Sequence, residues 1–427
     1  MLSAVPALAP ARLDEVSHLG LRVGRLLLAY GADADHAIAR IESVAARLGV
    51  AAQVFVSSER LLLTVDAGGT FRTRVGHMLQ GLGVDMGRLG GLERILDALA
   101  AGEIDLAEAG RRVDAVEAAG PRYPGWLVVT AVATTTACLA RLFEAAWAVV
   151  AAAFVAGLIN TLLRRAFAAR RLNPIAAAFL TAGASGLVGA LLLKLAPGAS
   201  PALCLAAAGM ILVPGVPLIN GIDDLAHGHA GIGAARLATG AVTILAIGFG
   251  LFAAAALAGE ALPVSSGQGH LGVPEDALVS GLAAIGYALL FAVPRRAILA
   301  CVLCGIAGHG GRTALGAAGL DIATATLAAS AGVGLLAVAM ERRLGLPWTT
   351  FAFPGVVAMI PGSYAFHAAT GALHVMAQGG ASPPRLVAET LSLAIAAAVM
   401  TAAVGSGLLL AASARRILGP DGPAVRS

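Results

Sequence analysis

Pro214-Gly215-Val216-Pro217-Leu218-Ile219-Asn220-Gly221 decides how this chain is read. The stretch sits inside an apolar run that would otherwise be one helix, yet it carries two prolines and two glycines. Proline has no N–H, and its ring displaces the carbonyl four residues back. Pro214 and Pro217 therefore free the carbonyls of Met210 and Val213. An unpaired carbonyl in hydrocarbon is costly, so such backbone must face protein, water or a polar ligand. The second half of the chain carries a matching stretch, Pro354-Gly355-Val356-Val357-Ala358-Met359-Ile360-Pro361-Gly362-Ser363-Tyr364. There Pro354 and Pro361 free the carbonyls of Thr350 and Val357. The adjoining glycines let a ligand approach the main chain closely.

Both stretches lie in a chain suited to lipid. Of 427 residues, 58% are hydrophobic and 13% charged, with a mean hydropathy of +0.84. Soluble domains carry about 25% charged residues. Just over half of the charged side chains here fall within residues 12–122, so a polar N-terminal part precedes a long apolar one. In the polar part, helices are expected at Leu13–Tyr30, Asp33–Leu48, Leu89–Leu99 and Asp105–Ala118. Strands are expected at Ala51–Ser57 and Leu61–Asp66, and Gly49 should stop the second helix. Pro121 to Gly125 reads as a linker.

A spanning helix needs roughly 20 apolar residues. Ten candidates follow the linker, at 126–143, 146–163, 174–195, 200–219, 236–258, 277–293, 296–312, 319–340, 349–372 and 386–411. With the N-terminus inside, the cytoplasmic ends hold Arg164, Arg165, Arg170, Arg171, Arg236, Arg295, Arg296, Arg342, Arg343, Arg415 and Arg416. The outer ends hold only Arg141, Lys194, Arg312 and Arg385. The longest outer loop, Gly259–Asp276, has three acids and no base. This bias predicts a cell inner-membrane protein with both termini cytoplasmic.

The ten spans divide five and five around that loop, and each half is interrupted at its fourth span. An odd repeat enters the membrane the opposite way the second time, which is a transporter design. The expected fold is an all-α polytopic membrane protein of ten transmembrane helices, arranged as two inverted five-helix repeats, with a small N-terminal cytosolic α+β domain. The expected domains are 1–122 (cytosolic), 123–258 (first membrane module), 259–276 (extracytoplasmic loop) and 277–427 (second membrane module).

Several classes are excluded. No G-x-x-x-x-G-K-[ST] occurs and Lys194 is the only lysine, so ATP hydrolysis is not expected. The spans carry no H-E-x-x-H or G-x-S-x-G, so no enzyme and no cofactor are expected. No basic run is interleaved with aromatics, so no nucleic-acid partner is expected. Met1–Pro10 lacks the basic start of a signal peptide. His227 and His229 lack further ligands for a metal. Cys301 and Cys304 read as small core residues on one helix face.

The first half resembles the threonine/serine exporter family. Pro214 to Asn220, followed by Asp224-Leu225 and by Gly231 to Leu237 (Gly-Ile-Gly-Ala-Ala-Arg-Leu), carries the resemblance. Leu26 to Asp33 (Leu-Leu-Leu-Ala-Tyr-Gly-Ala-Asp) resembles the opening of the family's cytosolic domain. Pro354-Gly355 and Pro361-Gly362-Ser363 resemble a companion C-terminal module that some relatives carry on a separate chain. Two departures stand out. Asp223 takes the place of a usual basic residue, and Phe143-Glu144-Ala145-Ala146-Trp147 replaces a Gly-Gly-Asp-Trp-like turn.

The resemblance implies a proton-coupled secondary exporter of small amino acids such as threonine and serine. The expected substrate site comprises Pro214, Gly215, Pro217 and Asn220 from the first break. From the second it takes Pro354, Gly355, Pro361, Gly362, Ser363 and Tyr364. Freed carbonyls and the Asn220 amide would hold an ammonium group, and N–H groups at Gly215, Gly355 and Gly362 a carboxylate. Proton coupling is expected first at Asp224, then at Asp223 and Asp321, because ionisable groups near membrane depth are expensive and usually functional. Helix capping is the plain alternative for all three acids and for Ser363. Asn160 and Thr161 read as polar glue between helices, Lys194 as snorkelling to the interface, and His309 beside Gly310-Gly311 as a loop residue. One alternative is an exporter of dicarboxylates such as succinate, which would need a cation that no deep position supplies. The other is a membrane scaffold or an intramembrane enzyme, and the spans bring no nucleophile and base together. The expected partners are a small solute, protons and the lipid bilayer, and a homo-oligomer is compatible with them.

Overall fold

The computed structural model describes residues 10–79, 83–196, 201–260 and 271–418. The start of the chain, residues 261–270 of the expected outer loop, and the side chains of Arg415 and Arg416 lie outside the described residues. By its contacts the chain divides into two units, Met1–Arg122 with Asn220–Leu237, and Tyr123–Ile219 with Ala238–Ser427.

The first unit holds α1 (Pro10–Ala29), α2 (Ala34–Arg47), β1 (Ala51–Val56), β2 (Arg60–Ala67), β3 (Thr70–His77), α3 (Met86–Ala100) and α4 (Leu106–Ala118). The strands form an antiparallel sheet in the order β1-β2-β3, with Phe55 opposite Leu62 and Leu62 opposite Val75. Alternation sets its inner face, where Leu61, Leu63 and Val65 are fully buried. Against that face lies α1, and a Cβ at Gly20 would come within 2.8 Å of Leu63. Asp33, Asp85 and Asp105 start α2, α3 and α4, each accepting the N–H three residues on. β3 was missing from the sequence expectation. Its residues Thr70–Thr73 are exposed, so pairing with β2 defines it and no apolar alternation marks it.

The second unit contains α5 (Gly125–Leu142), α6 (Trp147–Ala169), α7 (Pro174–Leu193) and α8 (Pro201–Met210). Next come α9 (Gly215–Ala226) and α10 (Ala230–Ala258), whose facing ends belong to the first unit, then α11 (Val273–Leu290) and α12 (Ile298–Gly305). The remaining helices are α13 (Gly311–Ala317), α14 (Ile322–Leu344), α15 (Thr349–Val356), α16 (Gly362–Gln378) and α17 (Pro384–Leu418). Among the described residues, eight helical stretches are long and apolar enough to cross a membrane. Two bent pairs, Leu203–Met210 with Gly215–Ala226 at 57° and Thr349–Met359 with Gly362–Ala381 at 44°, raise the number to ten if each pair is one span. The chain is thus a mostly helical polytopic membrane protein. Ala152, Ala153 and Ala156 of α6 pack on Cys204, Ala207 and Ala208 of α8. Lipid gives helices no hydrophobic reason to associate, so small residues that let backbones close in supply the attraction.

The two halves of this unit repeat a neighbour pattern. The pairs α5–α6, α6–α7, α7–α8, α6–α8 and α5–α8 recur as α11–α12, α13–α14, α14–α15, α12–α15 and α11–α15. The first helices of the halves also meet: α5 packs on α11, where the Thr135 hydroxyl donates to the Ala283 carbonyl at 3.3 Å. One boundary differs from expectation. Pro274 sits in the first turn of α11, where its missing N–H costs nothing. The helix therefore begins at Val273, and Asp276 lies inside it and only 2% exposed, not in an outer loop.

In the first unit, an ion cluster ties α2 to α3. His36 Nε2 lies 2.7 Å from Glu93 Oε1, and Arg40 Nε lies 2.6 Å from Glu93 Oε2. Burial opposes both charges. At His36, Glu93 outweighs burial and the pKa rises above 6.5; at Glu93, His36 and Arg40 outweigh it and the pKa falls below 4.5. The raised histidine contributes stability that is complete below its unfolded value and lost as pH rises through the folded one. The lowered glutamate contributes stability that is present above its unfolded value and lost as pH falls through the folded one. Protection of α2 and α3 against amide exchange, corrected for intrinsic rates, should therefore peak near pH 5 to 6. His36→Gln should abolish the alkaline decline and leave the acid one.

Candidate functional site

The two chain breaks have the same local chemistry. At the first, the Val213 N–H donates to Met210 O at 3.2 Å and the Gly215 N–H to Val213 O at 2.8 Å. At the second, the Ile360 N–H donates to Val357 O at 3.2 Å and the Gly362 N–H to Ile360 O at 2.7 Å. Pro361, at φ −76° and ψ 52°, has the dihedrals of an inverse γ-turn. The matched elements are thus Val213-Pro214-Gly215 and Ile360-Pro361-Gly362. Pro354 lies inside α15, and the Thr350 carbonyl it frees accepts the Cys301 thiol at 3.5 Å.

The breaks also pack on each other reciprocally. A Cβ built on Gly215 would come 2.3 Å from Ile360 Cδ1. One built on Gly362 would come 3.3 Å from Val213 Cγ2. The glycine of each break rests against the residue preceding the proline of the other. The contact is thus reciprocal.

A cavity of about 620 Å³ opens beside this contact, wholly within the second unit. One wall is built by the breaks, through Met210, Val213, Ile360 and Pro361. The ends of α5 and α11 build another, and exposed Gly316, Ala317 and Leu320 form the rim. Polar groups converge on it from α11 and from the helix that holds α12 and α13. Between those two, residues Ile306–Gly310 make one π turn. Such a turn inserts an extra residue and re-aims the side chains next to it. Glycines make it possible here, since a Cβ at Gly308 would meet Gly355 O at 2.7 Å and one at Gly310 would meet Ala277 Cα at 3.0 Å.

The π turn aims His309 at Asp276. His309 Nδ1 lies 2.8 Å from Asp276 Oδ1, and the Thr313 hydroxyl donates to Asp276 Oδ2 at 2.8 Å. The guanidinium of Arg312 donates to His309 Nε2. Arg312 can only donate, so Nε2 must accept, and Nδ1 carries the hydrogen shared with Asp276. That bonding describes a neutral imidazole between an aspartate and an arginine. Among the described residues Arg312 forms no ion pair, and its side chain lines the cavity. Two sequence expectations need correcting. His309 is a buried helical residue, not a loop residue, and a cation does reach the interior.

The expected site residues fall in three places. Pro361, Ser363 and Tyr364 line the cavity. Gly215 and Gly362 sit at the reciprocal contact with their N–H groups donating to Val213 O and Ile360 O, and Gly355 packs on Cys304. Pro214 is the central residue of the first turn and Pro217 follows in α9, neither lining the cavity, and Pro354 lies inside α15. Asn220, Asp223 and Asp224 belong to the first unit. There the Asn220 amide donates to Gly31 O at 2.9 Å, and Asp224 Oδ1 accepts the Ala34 N–H at 2.8 Å. Arg236 donates to Asp224 Oδ2 at 2.7 Å and to Ala32 O at 3.1 Å. Two sequence-distant motifs, Leu26–Asp33 and Asn220–Leu237, thus meet at the turn between α1 and α2. Asp223 sits 3.5 Å from His227. Exposed Asp321 caps α14 by accepting the Ala323 and Thr324 N–H groups. Asp276, Arg312 and Thr313 had no place in the expected site. The available signal was His309-x-x-Arg312-Thr313, three polar residues at the i, i+3, i+4 spacing that shares one helix face, inside an apolar span.

A polytopic helical protein with broken spans beside a cavity is built like a membrane transporter, and the family descriptions name it an exporter. The chain belongs to the threonine/serine exporter family. Residues 18–258 match the family described as "Putative threonine/serine exporter", and residues 276–414 match the one described as "Threonine/Serine exporter, ThrE". The chain is 30% identical over 239 residues to the "Probable succinate transporter subunit YjjP" of Escherichia coli K12, covering 54% of this chain and 90% of that protein. The protein of the same name from Klebsiella aerogenes is 27% identical over 242 residues, covering 55% of this chain and 91% of its own. No solved structure matches the chain. These relatives are transporters, not enzymes.

Two measurements check this geometry. Gly215→Ala should overpack against Ile360 at a cost of roughly 1–3 kcal/mol. Adding Ile360→Ala should restore most of the lost melting temperature in detergent. Asp224 is fully buried beside Arg236, and breaking such a pair costs about 3 kcal/mol or more. Asp224→Asn and Arg236→Gln should therefore lower the melting temperature alike. Loss of transport with melting unchanged would instead give Asp224 the proton-coupling role.

Proposed function

We propose that this protein is a proton-coupled secondary transporter exporting small amino acids such as threonine and serine. Its two halves would be inverted five-helix repeats, and the substrate would occupy the cavity beside their joined breaks. The observation that carries this is the cavity itself, walled by Val213 of the first half and by Ile360, Pro361, Ser363 and Tyr364 of the second. The repeated neighbour pattern and the reciprocal Gly215–Ile360 and Gly362–Val213 contacts support the repeat.

The arginine bias supports cytoplasmic termini, an inner-membrane location and a cytosolic first unit. By the same bias the rim at Gly316 to Leu320 faces outward, so this conformation would be the one that releases substrate. An amino acid suits a cavity with one guanidinium, one carboxylate and the hydroxyls of Ser363, Tyr364 and Thr313. The relatives named as subunits align with little more than the first half of this chain, and the second half matches a family description of its own. A chain carrying both parts would therefore form the cavity alone.

A second reading, export of dicarboxylates such as succinate, draws on the relatives' name and on Arg312, which supplies the cation that the sequence expectation lacked. Purified protein in proteoliposomes, loaded with labelled threonine, serine or succinate, separates the two. Exchange of threonine and serine, accelerated by a pH gradient, is expected. Exchange of succinate alone selects the second reading, and exchange of none of the three contradicts both.

A further inference from the structure

We propose that Arg312 and His309 bind a substrate carboxylate together with one proton, so that the carboxylate and the proton enter the cavity cooperatively. The inference rests on the transport reading of the cavity and adds its ligand chemistry.

The physical basis is one shared hydrogen bond. In the structure His309 Nε2 accepts from Arg312, while its Nδ1–H is held by Asp276. With Asp276 ionised, the aspartate, neutral imidazole and guanidinium sum to no net charge. A proton arriving from water can add only at the Nε2 lone pair, because Nδ1 already carries its hydrogen. The new N–H bond forms there and the Arg312 bond to Nε2 breaks. Two cationic donors, imidazolium and guanidinium, then face each other beside open cavity. Asp276 balances only one of them, so the cluster carries a net charge of +1, and both Asp276 oxygens are already engaged by His309 and Thr313.

A carboxylate between them satisfies both donors at once, through a charge-assisted bond from Nε2–H and the planar fork of Arg312. Each ligand therefore raises the affinity for the other, as linkage requires. Among the described residues, Asp276 is the one carboxylate lining the cavity, and Asp321, between the lining residues Leu320 and Ile322, is engaged in capping α14. From α11 come Asp276 and Tyr287, while Glu275 is paired with Arg141. From α12 come Cys301 and Cys304, and α15 has no ionisable side chain. On α14 the ionisable groups Glu341, Arg342 and Arg343 lie at its far end, while on α16 Tyr364 lines the same cavity as Arg312 and His367 is buried with its Nδ1 on Ser363 O. Threonine, serine and succinate share the recognised group, so the arrangement fits either substrate reading.

Isothermal titration of the purified protein in detergent, repeated in buffers of different ionisation enthalpy, counts the protons directly. The probes are acetate, L-threonine, succinate and L-threoninamide, the last keeping the ammonium but lacking the carboxylate. We expect about one proton taken up per carboxylate bound between pH 7 and 8, and a Kd that falls by up to about tenfold per unit as pH drops, the limit for one linked proton. Threoninamide should not bind. Comparison of threonine with succinate tells which source of the carboxylate the cavity takes. His309→Gln, checked for an unchanged elution profile, should keep binding but lose proton uptake and pH dependence. Arg312→Gln should abolish binding. Zero protons taken up by the unmodified protein, threoninamide binding as well as threonine, or no binding by any carboxylate would each overturn the proposal without recourse to a variant. Transport in proteoliposomes without proton-linked binding would sink this inference and leave the transport reading standing. Proton-linked binding without transport would do the reverse.

Discussion

Backbone that stops being helical inside lipid must find partners for its own N–H and C=O groups, and the second unit depends on how it does so. At Pro214 and Pro361 the chain closes the same tight turn, with the glycine N–H returning to the carbonyl two residues back. That closure satisfies the groups nearest each proline locally. It also leaves two flat glycine faces, and these receive Ile360 and Val213 from the opposite break. The breaks are therefore not loose ends awaiting a ligand. They form a tight joint, and the cavity lies beside it.

This changes which atoms can do chemistry. Main-chain N–H groups at Gly215 and Gly362 are spent on the joint, so recognition falls to side chains. The polar side chains that reach the cavity come from the second half, among them Asp276, His309, Arg312, Thr313, Ser363 and Tyr364. The first half contributes apolar wall from α5 and from Met210 and Val213. The polar cluster of Asn220, Asp224 and Arg236 lies within the first unit, bonded to the Gly31–Ala34 turn there. Symmetry in the backbone is thus joined to asymmetry in the chemistry, with the ionisable groups on the side opposite to the one the sequence favours.

What could be read in advance follows from what is local. Pro-Gly pairs marked both bends, Asp33 and Asp105 marked helix starts, and Gly49, with φ at +80°, marked a helix end. Each of these acts through its own backbone. β3 escaped because its first residues bury nothing, and pairing leaves no trace in an exposed strand. The Asp276–His309 pair escaped because it joins two helices, and because a π turn rotates His309 to a face that a regular helix would not give it. The partners of Asn220 and Asp224 were hidden for a similar reason, since the Gly31–Ala34 turn lies far away in sequence. Local rules find where a chain bends, and only the assembled fold says which side chains the bend brings together.

The central claim is that substrate occupies the cavity beside the joint. The most direct measurement is the rate at which a negatively charged, membrane-impermeant thiol reagent labels Ser363→Cys, in a protein whose four buried cysteines have been replaced. The account predicts labelling from one side of the membrane, slowed severalfold by saturating substrate. Labelling that substrate leaves unchanged, or no labelling from either side, would contradict it.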